Sequence, residues 1–131
     1  MPDYLIYGGE YRGDCPKEAD EQATFIKYLR TAYPQTYGAV VVHVENEGKR
    51  TYRQAQHAKN QGQNKGASDI LIPVSHPFVC ELKRKDRTKS RASDEQIKYL
   101  NAASKMGSFA CIAYGYDAAL QAFTEWKDFC K

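Results

Sequence analysis

Residues Ser68 to Arg84 read SDILIPVSHPFVCELKR, and the pattern inside them predicts a β-hairpin with an acidic site on one face. Two short strands, Asp69 to Val74 and Phe78 to Arg84, flank a turn punctuated by Pro73, Ser75, His76 and Pro77. Side chains alternate along a strand, so Glu81 and Lys83 share one face while Cys80 and Leu82 point to the other. A turn centred near His76 sets Asp69 across from Lys83 and on the Glu81 face. Directly opposed Cβ atoms lie about 5 Å apart and diagonal neighbours about 7–8 Å, a span that one divalent cation can bridge. A one-residue slip would move Asp69 to the wrong face. A solvated hairpin face would carry the same charges, so the surroundings have to decide.

Those surroundings are a chain of 131 residues, a length that fits one domain with one core. A hydrophobic fraction of 42% with ten tyrosines suits a globular protein, and no apolar run approaches the length of a membrane span. The start, MPDYLIYGGEYRGDC, lacks a basic segment followed by an apolar one, so no secretory signal is expected and a cytoplasmic location is. Cys15, Cys80, Cys111 and Cys130 are scattered, and two fall in strand-like apolar runs. They read as small buried hydrophobes, with no structural disulfides. His43, His57 and His76 are too dispersed for a zinc site. The net charge of +3 says little, but its distribution says more. Lys83 to Arg91 (KRKDRTKSR) holds six basic residues against one acid, and Lys49 to Lys65 adds Lys49, Arg50, Arg53, Lys59 and Lys65 with no acid. Solvated loops often look like this; beside a metal site they also suit phosphate contact.

Outward from the hairpin, Pro16 to Tyr33 reads as a helix with Asp14 as cap, Pro34 as stop and an inward stripe of Gln22, Phe25, Ile26, Leu29 and Ala32. Glu18 lies one turn before Gln22 and extends that stripe toward the helix start, where it is either a favourable first-turn charge or a residue reaching into a site. Ala39 to Glu45 (AVVVHVE) reads as a strand, Asn46-Glu47-Gly48 as a turn, Thr51 to Gln61 as a short helix, and Gly62 to Ala67 as a basic, glycine-bearing loop able to approach a phosphate or simply to turn. Ser93 to Met106 reads as a helix with a Ser93/Gln96 capping box and Gly107 as its stop; Phe109 to Tyr114 is a strand and Asp117 to Phe129 a last helix. A hairpin, a helix and a strand make a crossover, which sets the last strand parallel to its neighbour. The predicted fold is α/β, a mixed central sheet flanked by helices in the order α-β-β-β-α-β-α.

An acid on the first helix, Ser-Asp before a strand, Glu-Leu-Lys on the next strand and a glutamine on the following helix resemble the PD-(D/E)xK nuclease superfamily and its restriction-endonuclease-like core. More narrowly, the chain resembles the VRR-NUC (virus-type replication-repair nuclease) domain. The blocks occur in order: Glu18 with Gln22, HVENEGKR from His43, GASDI from Gly66, ELKR from Glu81, Ser93 with Gln96, and YGYDAA from Tyr114. They span about residues 17 to 127, within one domain of residues 1–131. Ser68 stands where the superfamily has proline, and the charged KDRTKSR replaces a glycine-rich turn.

Phosphodiester hydrolysis needs an activated water and a cation to stabilise charge on phosphate, and Mg²⁺ prefers a few oxygen ligands. Asp69 and Glu81, with the Leu82 carbonyl, are the expected direct ligands of Mg²⁺, with Mn²⁺ able to substitute. Lys83 would orient the attacking water or neutralise the scissile phosphate. The resemblance adds Glu18, reaching the metal through water, and Gln96, positioning water or phosphate; Glu21 competes with Glu18, and Asn46 could touch the site. Lys49, Arg50, Arg53, Lys65, Arg84, Lys85, Arg87 and Lys89 are the candidate DNA contacts. The resemblance further implies a homodimeric endonuclease acting on branched DNA such as Holliday junctions or flaps, in bacterial or phage replication, recombination or repair, with no membrane and no small-molecule cofactor. The competing expectation is a catalytically inert nucleic-acid-binding module that keeps the fold.

Overall fold

The computed structural model describes residues 4–44, 52–60 and 66–129. The elements run β1 (Leu5–Tyr7), α1 (Glu18–Ala32), α2 (Tyr37–Val40), β2 (Val42–His43), α3 (Tyr52–Asn60), β3 (Ile70–Ile72), β4 (Phe78–Lys83), a 3-10 turn (Arg87–Lys89), α4 (Asp94–Lys105), β5 (Phe109–Tyr114) and α5 (Tyr116–Phe129). The sheet order is β1-β5-β4-β3-β2, with β1, β5 and β4 mutually parallel and β3 and β2 joined antiparallel. The architecture is a mixed α/β sheet flanked by helices, and β5 returns parallel to β4 as the crossover requires.

β4 is the centre of the sheet, and every one of its residues is buried. Its alternation splits the interior in two. Phe78, Cys80 and Leu82 join Phe25 and Leu29 of α1 and Phe123 and Trp126 of α5 in the larger core, where the Phe25, Phe78, Phe123 and Trp126 rings stand against one another. Truncating such a ring to alanine typically costs about 3–5 kcal/mol. Val79, with Ala110 and Ile112 of β5 and Leu100 of α4, forms a smaller core on the opposite face. Glu81 and Lys83 point to that second face, at the end of β4 that the smaller core leaves uncovered.

The hairpin register differs from expectation by two residues. Ile70 faces Cys80 and Ile72 faces Phe78, so the turn centres on Ser75 and the position of Asp69 falls opposite Glu81, not Lys83. Pro73 has no N–H to extend the ladder, and the chain turns there, with Val74 N–H donating to Ile72 O. A two-residue shift preserves side-chain parity, so Asp69 keeps its predicted face.

Other boundaries also move. α1 begins at Glu18 after Lys17, with no side-chain cap, and the Asp14 carbonyl instead accepts a hydrogen bond from Tyr11 Oη. Ala32 lies exposed at the end of α1. Among the described residues the stretch from Ala39 is not one strand: Tyr37–Val40 is a helical turn and the strand is Val42–His43. Gly38 explains this, since a Cβ there would sit 2.4 Å from Leu29 O, and only a bare backbone lets α2 dock on the end of α1. The β1 strand was not anticipated at all. The turn at residues 46–48 lies outside the described residues. Cys15, Cys80 and Cys111 are free thiols, and among the described residues no helix is long and apolar enough to cross a membrane.

Candidate metal and phosphodiester site

The site forms where the sheet splits. The β3–β4 ladder stops at Ile70 and Cys80, whereas β4 continues against β5 to Lys83. Leu82 is thereby left with a backbone N–H and carbonyl that no β3 residue pairs, and buried backbone groups need partners. Two side chains supply them: Asp69 Oδ2 accepts from Leu82 N at 3.1 Å, and Gln22 Nε2 donates to Leu82 O at 3.2 Å. Asp69 is itself anchored, its carbonyl accepting from Val44 N at 2.7 Å.

Around this break Glu18, Asp69 and Glu81 each bring a carboxylate oxygen to within 4.8 Å of the others. Lys83 Nζ lies 3.2 Å from Glu18 Oε1 and 3.3 Å from Glu81 Oε1. Gln96 Nε2 donates to Glu81 Oε1 at 2.8 Å while Gln96 Oε1 accepts from Ser93 N, so Gln96 closes the capping box of α4 and reaches the site together. Ser90 Oγ donates to Glu18 Oε2 at 3.3 Å. Of the two candidate first-turn acids, Glu18 faces the cluster; Glu21 turns away, and its Oε2 accepts from Tyr116 N at 3.0 Å, capping α5.

Three carboxylates against one ammonium leave an excess of negative charge in a buried place. Two unit charges at 4 Å interact by about 4 kcal/mol at an effective dielectric constant near 20. Burial first, then the neighbouring Asp69 charge, pushes the Glu81 carboxyl well above the usual carboxylate range. Burial, then the Glu18 charge, raises Asp69 too. Lys83 is held above its ordinary value: burial alone would lower it, but Glu81, Glu18 and Asp69 together outweigh that. Glu81 is fully buried, and its Oε2 receives no hydrogen bond. A buried carboxylate oxygen with no donor needs a proton or a cation. The donor set, all hard oxygen with an orphaned buried atom among it, fits a hard divalent ion, with the carboxylates of Glu18, Asp69 and Glu81 as the groups in reach of one another.

The basic residues behave less uniformly than their sequence suggests. The Arg84 guanidinium donates to Cys15 O at 2.8 Å and Pro16 O at 3.0 Å, and Lys89 Nζ donates to Gly13 O at 2.9 Å. Asp86 accepts from Gly13 N, Thr88 N and Thr88 Oγ1. The stretch after β4 therefore clamps the segment ahead of α1. Lys85 pairs with Asp117 at 3.6 Å and lies over the Tyr11 ring. Arg87 and Arg53 are exposed, and Lys49, Arg50, Lys65 and Asn46 lie outside the described residues. Gly66 makes its close approach to protein: a Cβ there would sit 2.2 Å from Glu95 O.

Sequence reasoning missed Gln22, His43 and Ser90 as neighbours of the site. Gln22 read as part of an inward stripe, and His43 only opened a resembling block. For Gln22 the one hint is its place one turn after Glu18 on the same helix face; nothing in the sequence marks His43 or Ser90.

No protein-family model matches the chain, and no curated protein sequence does. Among solved structures, one described as a VRR_NUC domain protein superposes with a TM-score of 0.71, covering 88% of this chain and 89% of its own, at 17% sequence identity. At that identity the likeness speaks for architecture, and the chain has the fold of a VRR_NUC domain protein.

Proposed function

We propose that the protein is a Mg²⁺-dependent endonuclease that hydrolyses phosphodiester bonds in DNA. The observation that carries this reading is the Glu18, Asp69 and Glu81 cluster, with ligand oxygens within 4.8 Å, beside Lys83 and with a buried, unpaired Glu81 Oε2. Asp69, Glu81 and the Leu82 carbonyl hold the ion, with Glu18 acting through water. When bound, the ion supplies positive charge to the scissile phosphate and makes a nearby water more acidic. Gln96 donates to Glu81 Oε1, steadying the carboxylate whose Oε2, without a hydrogen bond, would be available to hold the ion. Lys83, its ammonium held charged by the carboxylates, orients the attacking water or meets developing negative charge on phosphate. Arg53 and Arg87, both exposed, with Lys49, Arg50, Lys65, Arg84, Lys85 and Lys89, are the groups assigned to contact the DNA backbone.

The substrate we assign is branched DNA, such as Holliday junctions or flaps, cut by a homodimer whose two-fold axis sets one active site on each of two strands. The chain would act in the cytoplasm as a single domain in replication, recombination or repair. What supports these finer points is the resemblance in ordered sequence blocks together with the shared fold. Purified protein incubated with junction, flap and linear DNA should cut the branched forms in Mg²⁺ and none in chelator. Asp69→Asn and Lys83→Ala should each lower the rate about 100-fold or more. Undiminished cutting by both variants would remove the site assignment, and preference for linear DNA would remove the substrate.

A further inference from the structure

His43 sits on β2, an edge strand of two residues, and its imidazole is among the exposed side chains. Its Nε2 lies 2.9 Å from Gln22 Oε1, and Gln22 Nε2 lies 3.2 Å from Leu82 O. The chemistry of the far end fixes the whole chain. A carbonyl oxygen only accepts, so the Gln22 amide must turn its NH₂ to Leu82. Its oxygen therefore faces His43, and His43 Nε2 must carry a hydrogen and donate. With no donor at position 43, Gln22 Oε1 loses its hydrogen bond and the amide is held only from its Leu82 end, so its aim at Leu82 O is no longer fixed from both sides.

We infer that His43 is a positioning residue: through Gln22 it sets the direction of the Leu82 carbonyl and so the affinity of the carboxylate cluster for a divalent cation. This rests on the nuclease reading, since it assigns that carbonyl to the ion. The relay satisfies one lone pair of Leu82 O and leaves the other for the ion, much as outer hydrogen-bond partners orient ligands in metal sites generally. A merely structural role, tying β2 to α1, would act on stability and not on the ion.

The test uses the full chain stripped of metal, with Mn²⁺ as the probe in calorimetric titration. His43→Phe keeps an aromatic ring and removes the donor; His43→Gln restores a donor of similar reach. The Phe variant should bind Mn²⁺ about 10-fold more weakly, and the Gln variant should return close to wild type. Melting temperatures of the metal-free forms should stay alike, because the side chain is exposed. In amide NMR spectra without metal, the Gln22 side-chain NH₂ pair should lose its exchange protection in the Phe variant alone. Wild-type Mn²⁺ affinity in the Phe variant, or equal weakening in both, overturns the relay. Absence of Mn²⁺ binding by wild type itself would instead overturn the nuclease reading beneath it, and the Gln22 resonances would still tell whether His43 holds the amide.

Discussion

Glu81 is fully enclosed, beside another buried carboxyl, with one oxygen unpaired. Burying such a group opposes folding whenever it is charged, and the sign of that effect is testable. Asp69 has a carboxyl pKa raised by burial and by the Glu18 charge. The folded state therefore keeps a proton that the unfolded chain releases near the ordinary aspartate value of about 4. Stability is undiminished below that value and falls as pH rises toward the raised folded pKa. Asp69→Asn, whose amide oxygen can still accept from Leu82 N, removes this penalty. In metal-free buffer at pH 8 the variant should melt higher than wild type by about 4 °C, equivalent to about 1 kcal/mol, and the gap should close near pH 4. A variant that melts lower at pH 8 would mean that Asp69 stabilises the empty site. At this scale much was legible: Glu81 and Lys83, two apart on one strand, must share a face whatever the register, and Asp69 joins them in any register of the right parity. Gln22 and His43 were not legible as neighbours of the site, because Gln22 answers a backbone carbonyl and His43 reaches it only through Gln22, and a carbonyl orphaned by a split ladder leaves no mark in residue type.

Among the elements, α1 presents two acids to two different tasks. Glu18 reaches Lys83, while the buried Glu21 closes the N-terminus of α5 through Tyr116 N. Gly115 makes this possible: its φ of +94° suits glycine, and a Cβ there would lie 2.9 Å from Glu21 Oε2. Glu21→Ala should cost about 1–2 kcal/mol in denaturant unfolding, the usual range for a lost helix cap, and leave Mn²⁺ affinity intact. Glu18→Ala should weaken Mn²⁺ binding with a smaller effect on unfolding. The reverse pattern would exchange the two roles. Long periodic segments such as α1, α4 and α5 were readable from their stripes and stops. The run AVVVHVE misled because its β-branched residues favour a strand, but Gly38 and the Tyr37 ring packing against Phe123 and Trp126 favour a helical turn. The three residues of β1 are too few to show alternation, and they become a strand only by pairing with β5.

For the molecule as a whole, the sheet splits where β3 ends beside β4, and charge is gathered about that split. A net charge of +3 is small, so the proposed affinity for DNA would come from placement. Some of the basic stretch after β4 serves the fold: Arg84 and Lys89 hold the backbone of residues 13–16, and Asp86, its carboxyl lowered to about 2 by hydrogen bonds from Thr88 and Gly13, locks the same clamp. Arg87→Ala should therefore weaken DNA binding and reduce its dependence on salt by about one ion without altering unfolding. Arg84→Ala should lower the melting temperature. Equal effects of both on binding alone would show that the clamp is not structural. Such a division could not be read from KRKDRTKSR, where every basic residue looks alike. The proposed function requires a cation held between Asp69 and Glu81, and calorimetric titration of the metal-free chain with Mn²⁺ tests that most directly. Wild type should bind with release of protons, seen as a heat that changes with the buffer's ionisation enthalpy, and Asp69→Asn should bind at least about 10-fold more weakly. Failure of wild type to bind, or binding unchanged in Asp69→Asn, would contradict it.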